Sequence, residues 1–226
     1  MEILNDTVRE ATRRKFETEL VKPVKLLHFS RESSRLVLPE SMRALECPFC
    51  DETRKLLEEV AALSDKVSLE IVDVKADEAR AAAFGIDMIP ATIVMDEEDR
   101  GIRIYGIPSG YEYVSLLGAV LDISRGKTSL APETRAALKA VTKDIHIQVF
   151  VTPTCAFCSA AVRLAHQFAL ESPLIRADMI ESMEFPDLAD RFQVRGVPKT
   201  VVNGTVQFEG AVPEAVFLEN VLKAIA

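Results

Sequence analysis

Positive charge is in short supply in this chain of 226 residues. Its 27 Lys and Arg stand against 35 Asp and Glu, a formal net charge of -8. Nucleic acids and anionic membrane surfaces draw basic proteins, so neither partner has electrostatic support here. Long apolar runs are missing too: none approaches the roughly 18 residues that a spanning helix needs. The opening MEILNDTVREATRRKFETEL mixes charges throughout and has no apolar stretch of the kind a secretory signal carries. The expectation is a cytoplasmic protein with no membrane partner. Asn and Gln total only seven, and Arg outnumbers Lys 16 to 11. Few thermolabile amides fit a thermophile, and a thermophilic source is expected.

Cysteine is scarce as well, and none of it is scattered. All four cysteines lie in two C-x-x-C pairs, ECPFCDE at Glu46 to Glu52 and TPTCAFCSA at Thr152 to Ala160. A secreted disulfide framework would spread them along the chain. In the cytosol stable structural disulfides are rare, whereas catalytic ones are found. A four-thiolate zinc site is the main rival. Zinc ribbons separate their pairs by about 15–20 residues, but here the first cysteines are 108 apart. No metal is therefore expected, and no cofactor. A redox-inactive binding or chaperone module is the reading from another class. It would be marked by a lost cysteine, and both pairs are intact.

The chain repeats itself at that same offset of 108. Cys47 falls on Cys155, Cys50 on Cys158, Phe84 on Phe192 and Pro90 on Pro198. Over the ungapped stretch from Cys47 to Met95, 11 of 49 positions are identical. Those identities include both cysteines and the proline, which chance would not readily keep in register. Each unit thus has a C-x-x-C followed 43 residues later by an X-Pro between apolar runs.

Both units read alike. VKLLHF (Val24 to Phe29) and IHIQVFV (Ile145 to Val151) are short and apolar, hence strands. The runs after each C-x-x-C carry helical spacing, at Leu56, Leu57, Val60 and Leu63 and at Val162, Ala165, Phe168 and Ala169. VSLEIVDV and LIRADMI read as strands, followed by short helices over about Asp77 to Phe84 and Pro186 to Phe192. After each X-Pro, ATIVM with GIRIYG and KTVVN with TVQFEG read as hairpin strands, and a closing helix follows. Extra helices, about Asp6 to Leu20 and Pro132 to Thr142, precede each first strand. Strands and helices alternate, so the class is α/β. The joint falls at the turn-rich SRGKTSLAPE, which divides the chain into residues 1–126 and 127–226. Each piece is long enough to be a domain.

A strand, then C-x-x-C opening a helix, then X-Pro before a hairpin, is similar to the thioredoxin fold. Two such units in tandem resemble the protein disulfide oxidoreductases of thermophiles, relatives of glutaredoxin and protein disulfide isomerase. PVKLLHF, GIRIYGIPSGYE, VFVTPTCAFC, RGVPKTVV and FEGAVPEAVFLE carry the likeness. The resemblance implies two tandem thioredoxin-like domains, each a central mixed β-sheet flanked by helices. It implies thiol–disulfide exchange on protein substrates, with electrons from a thioredoxin reductase-like flavoprotein. A dedicated electron donor to one client, such as a peroxiredoxin, is the alternative within that chemistry. Glutaredoxins usually carry a Gly-Gly-x-Asp-like turn before the last helix. SGYEY and AVPEA stand there instead, which favours protein partners over glutathione. Two departures are plain. Family members usually carry C-P-Y-C in the second unit, whereas here C-P-F-C is in the first and C-A-F-C in the second. The segment Arg31 to Leu45 is additional and reads as a surface loop.

The chemistry explains the placement. Exchange needs a thiolate, and an ordinary cysteine is mostly protonated at neutral pH. A helix N-terminus offers free N–H groups and about half a positive charge. Cys47 and Cys155 are expected there as attacking thiols. Cys50 and Cys158 are expected one turn inward, as resolving thiols. Glu46, Asp51 and Glu52 crowd the first pair, while no residue from Thr152 to Ala161 is charged. Cys155 is therefore expected to be the more acidic. By the family likeness Pro90 and Pro198 are cis-prolines facing the cysteines. Their preceding residues, Ile89 and Val197, would offer backbone to an extended substrate. Thr154 reads as an N-cap or loop residue, Lys199 as a solvated lysine, and His28, His146 and His166 as structural.

Overall fold

The computed structural model describes residues 3–31 and 47–226. Most of the added segment, and Glu46, lie outside the described residues. Within them, apolar strands and amphipathic helices alternate as the pattern predicts. In the first unit, β1 (Val24–Ser30) runs parallel to β2 (Val67–Asp73) and antiparallel to β3 (Ala91–Met95). The hairpin closes with β4 (Ile102–Tyr105). In the second unit, β5 (Ile145–Val151) runs parallel to β6 (Ile175–Glu181) and antiparallel to β7 (Lys199–Val202), which pairs with β8 (Val206–Glu209). The strand β6 reaches beyond its expected run and ends in a carboxylate.

The two sheets are fused. Strand β4 pairs in parallel with β6, from Ile102↔Ala177 to Tyr105↔Ile180, giving one eight-stranded sheet in the order β2-β1-β3-β4-β6-β5-β7-β8. Each unit read alone leaves β4 as an edge strand. All four of its residues are buried, so its outer N–H and C=O groups need a partner, and β6 supplies it.

Helices cover both faces. On one lie α1 (Asp6–Glu19), α2 (Cys50–Ala61), α4 (Glu112–Arg125), α5 (Pro132–Lys139), α6 (Cys158–Glu171) and α8 (Glu214–Lys223). The helix α5 stops three residues short of its expected end. The short helices α3 (Glu78–Ala83) and α7 (Pro186–Arg191) lie on the other face. The apolar stripe of α2, Leu56, Leu57 and Val60, is fully buried against the sheet. Each such side chain contributes about 1.5–3 kcal/mol relative to exposure. The repeat extends to ring packing. Phe29 and Phe84 sit 5.8 Å apart at 54°, and Phe150 and Phe192 5.7 Å apart at 54°.

Polar bolts cross the seam between the units. Arg176 on β6 makes a two-pronged bond to Asp178 (2.9 Å each) and donates to Tyr105 Oη (2.7 Å) and the Gly85 carbonyl (3.2 Å) in the first unit. Burial opposes ionisation of Asp178, yet its bonds with His146 and Arg176 hold its carboxyl below the usual range. On the other face Arg163 and Gln167 of α6 bond Asp122 of α4 at 2.8–3.2 Å.

Topology decides where the chemistry sits. Strands β1, β4, β6 and β5 all run the same way, so the carboxyl ends of β1 and β5 meet one edge of the sheet. They are four strand spacings apart, about 19 Å.

Candidate active sites

Both C-x-x-C pairs occupy that edge, each between the end of a central strand and the start of a helix. Each pair is joined as a disulfide, Cys47 to Cys50 and Cys155 to Cys158, with Cα atoms 5.4 and 5.5 Å apart. The helices begin later than the sequence implies. Their N-caps are Phe49 and Phe157, so Cys50 and Cys158 are the first helical residues rather than one turn inward. Cys47 and Cys155 precede the helices and close a turn into them, their carbonyls accepting from the N–H of Cys50 and Cys158 (3.3 Å each). The disulfide still holds each outer sulfur against the first helical residue. Neither Phe caps its helix with a side chain, so the positive end of each helix faces the outer sulfur without a side-chain cap between them. Access separates the two thiols of each pair. Cys47 and Cys155 are half-buried, while Cys50 and Cys158 are 1% and 0% exposed.

Pro90 and Pro198 are buried, and the Ile89–Pro90 and Val197–Pro198 bonds are both cis. They enter β3 and β7, whose first residues pair with Phe29 and Phe150 near the ends of the central strands. The prolines' carbonyls are taken, by Gly106 N–H (2.9 Å) and Gly210 N–H (2.8 Å). Ile89 and Val197 are half-exposed, and among the described residues their backbone groups have no hydrogen-bond partner.

Two minor expectations fail. Thr154 is not an N-cap, because the helix starts four residues later. It is an exposed turn residue. Lys199 is not solvated. Its side chain is buried, and its Nζ donates to the carbonyls of Phe192 (2.7 Å) and Gln193 (3.2 Å) just past α7. His28 and His166 are buried, and burial pulls both down to about 4, so they are neutral at pH 7. His28 Nδ1 meets Thr92 Oγ1 at 3.0 Å.

Sequence reasoning missed a group of carboxylates at the seam. Glu112 opens α4, and its neighbour Tyr111 donates its N–H to the Pro153 carbonyl (3.0 Å), two residues before Cys155. Glu181 ends β6 opposite Val151. Glu184 accepts from Ile107 N–H (2.7 Å) and gives its own N–H to Glu181 Oε2 (2.6 Å). Burial, then Glu181 and Glu184, pushes Glu112 up to about 9. Burial, then Glu181 and Glu52, pushes Glu184 up to about 7. The sequence offered one faint signal, that Glu181 falls on Asp73 at the repeat offset. Spacing within one unit could not show that the cluster draws on both.

Known proteins share this arrangement. A thioredoxin domain profile matches residues 145–223. The NADH dehydrogenase of Bacillus subtilis is 26% identical over 158 residues, 68% of this chain and 29% of that protein. The alkyl hydroperoxide reductase component AhpF of Pseudomonas aeruginosa is 26% identical over 163 residues, 71% and 29% respectively. The chain therefore spans less than a third of the length of these relatives. Among solved structures, a protein disulfide oxidoreductase from Aeropyrum pernix superposes with a TM-score of 0.85 at 28% identity, covering 97% of this chain and 94% of that one. AhpF from Enterococcus faecalis does so with 0.85 at 26%, covering 96% and 99%.

Fold and sites together define a tandem thioredoxin-fold protein with two C-x-x-C disulfide centres. Within that class the chain resembles the protein disulfide oxidoreductases, whose member superposes over nearly its whole length.

Proposed function

We propose that the chain is a dithiol–disulfide oxidoreductase of protein substrates, built from units 1–126 and 127–226. One observation carries the roles within each site: the outer cysteine is reachable and the inner one is buried. In reduction, the thiolate of Cys47 or Cys155 attacks one sulfur of a client disulfide. The client S–S bond breaks, a mixed disulfide forms, and the departing client thiolate takes a proton. Cys50 or Cys158 then loses its proton and attacks the outer sulfur. The client's second thiol leaves, the client has gained two electrons, and the site is again a disulfide. The unpaired backbone of Ile89 and Val197 is suited to receive the client's extended chain as an added strand.

Its electrons come from a separate reductase of thioredoxin reductase-like, flavin-bearing type, in the cytoplasm. A peroxide-reducing partner as client is the second reading. It is favoured by the likeness to alkyl hydroperoxide reductase components. Among the described residues no helix is long and apolar enough to cross a membrane.

The test replaces Cys50 or Cys158 by Ser in chains whose other pair is inactivated. A mixed disulfide with a protein client should then accumulate through Cys47 or Cys155, visible as a mass adduct released by dithiothreitol. Adducts that form only when the outer cysteine is the one removed would reverse the roles.

A further inference from the structure

Among the described residues eight large apolar side chains are exposed, and the three aromatic ones and the methionine differ in place from the valines and the isoleucine. Phe49 (38% exposed), Phe157 (74%), Tyr111 (50%) and Met183 (76%) all belong to segments at the redox edge. Phe49 and Phe157 lie inside the C-x-x-C motifs. Tyr111 and Met183 come from segments that the seam brings to that edge.

Each of the two is clamped by the other unit. Tyr111, in the first unit, donates its N–H to the carbonyl of Pro153 in the loop that carries Cys155. Gly110 before it has φ +57, and a Cβ there would overlap the Pro153 carbonyl. Only glycine allows that approach. Met183, in the second unit, lies in the turn after β6. That turn is held to the first unit by Ile107 N–H on Glu184 Oε1. In the sheet β6 lies between β1 and β5 and runs the same way, so the turn that follows it stands between the two strand ends that lead to the C-x-x-C pairs.

We propose that Tyr111 and Met183 form with Phe157 a docking platform for the apolar residues that flank the reacting cysteine of a protein client. This rests on the exchange reading above. The occupant follows from the chemistry: a client sulfur bonded to Cys155 brings its own neighbours over the Cys155 loop and the segment bonded to it. The charge pattern selects among clients. No residue from Thr152 to Ala161 is charged, the Glu112 and Glu181 carboxylates are buried, and Glu184, next to Met183, is half-buried with Oε1 bonded to Ile107 N–H. The Cys155 loop under the platform is thus uncharged and suits apolar flanks, whereas the first site carries Asp51 and Glu52. Neither unit alone has the platform, which makes the fused sheet a specificity device for the second site.

The experiment uses the full chain with Cys47 and Cys50 replaced by Ser, reduced beforehand. Its probes are two disulfide-linked peptides, one with Leu and Phe beside the cysteine and one with Ser in those places. The quantity read is the ratio of their single-turnover second-order rate constants. The parent should favour the apolar peptide. Tyr111→Ser with Met183→Ser should cut that preference by about tenfold, mainly through weaker binding of the apolar peptide, as expected for a lost aromatic anchor. Tyr111→Phe should restore it. Val21→Ser, an exposed apolar residue just before β1 at the opposite sheet edge, should leave it unchanged. A parent ratio near one, or an unaltered ratio in the double variant, overturns the platform. A parent that reduces neither peptide overturns the exchange reading itself.

Discussion

At the scale of single residues, two titrations organise the redox edge. The first concerns the outer thiols. Both precede uncapped helix starts, so that effect largely cancels between them. Asp51 and Glu52 stand in the first turn at one site, with Arg54 bonded to Asp51 at 3.3 Å. The second site has no charge in its loop, and Glu112, beside the residue bonded to that loop, is held protonated by burial. Cys155 should therefore show a lower apparent pKa than Cys47 when single-site variants are alkylated across pH. The reverse order would mean that Arg54 outweighs the two acids. The second titration is that of the seam carboxylates. Glu112 and Glu184 bind protons in the fold up to about 9 and about 7, values far above the ordinary 4.5. The folded chain then holds protons that the unfolded chain has released. This stability is complete below the ordinary carboxylate value and is lost as pH rises through 7 and 9. Glu112→Gln should raise Tm at pH 9 and change little at pH 5. One pKa unit, about 1.4 kcal/mol, corresponds to about 3–5 °C in a chain of this size. His28 and His166 act in the opposite direction. Their folded values lie near 4, so their contribution is lost as pH falls from about 6.5 through that value.

At the scale of elements, the loop from Ser109 to Tyr111 is the piece most exposed to test. Its left-handed Gly110 lets the backbone lie against Pro153. Alanine there meets both the positive φ and the overlap with the carbonyl. The conformational part alone costs about 1–2 kcal/mol. Gly110→Ala should lower Tm by several degrees and also lower the second site's rate with protein clients, because Tyr111 moves with the loop. Stability loss with unchanged second-site selectivity would separate the clamp from function. Helices α2 and α6 show what element-level reading can reach. Their existence and buried stripes followed from spacing, at Leu56, Leu57 and Val60 and at Val162, Ala165 and Phe168. Their first residues did not, since a C-x-x-C can enter a helix at either cysteine. The turn that uses the Cys47 and Cys155 carbonyls decides the matter.

At the scale of the whole molecule, the pairing of β4 with β6 makes the units interdependent. A chain ending at residue 126 would expose the outer edge of β4 and leave Tyr105, Gly85 and Asp122 without their partners Arg176 and Arg163. Such a fragment should be less stable than the full chain and prone to pair through its free edge. Thermal unfolding and sedimentation of the fragment would check this. A monomer as stable as the full chain would show that the seam is dispensable.

The α/β class, the two units, the four sulfurs and the two prolines that enter hairpins are all legible along the chain. These are local or repeated features, and covalent spacing with hydrophobic period is enough to express them. The sequence also carries the charge difference between the sites, because Asp51 and Glu52 are neighbours of Cys50 along the chain. Packing in three dimensions is what fuses the sheets, turns Lys199 inward, and gathers Glu112, Glu181 and Glu184 at one seam. The reason is the same in each case. A strand edge, a buried ammonium and a protonated carboxyl take their state from groups some 6 to 77 residues away. Their energies are set by burial and pairing across space, which no single stretch of sequence contains.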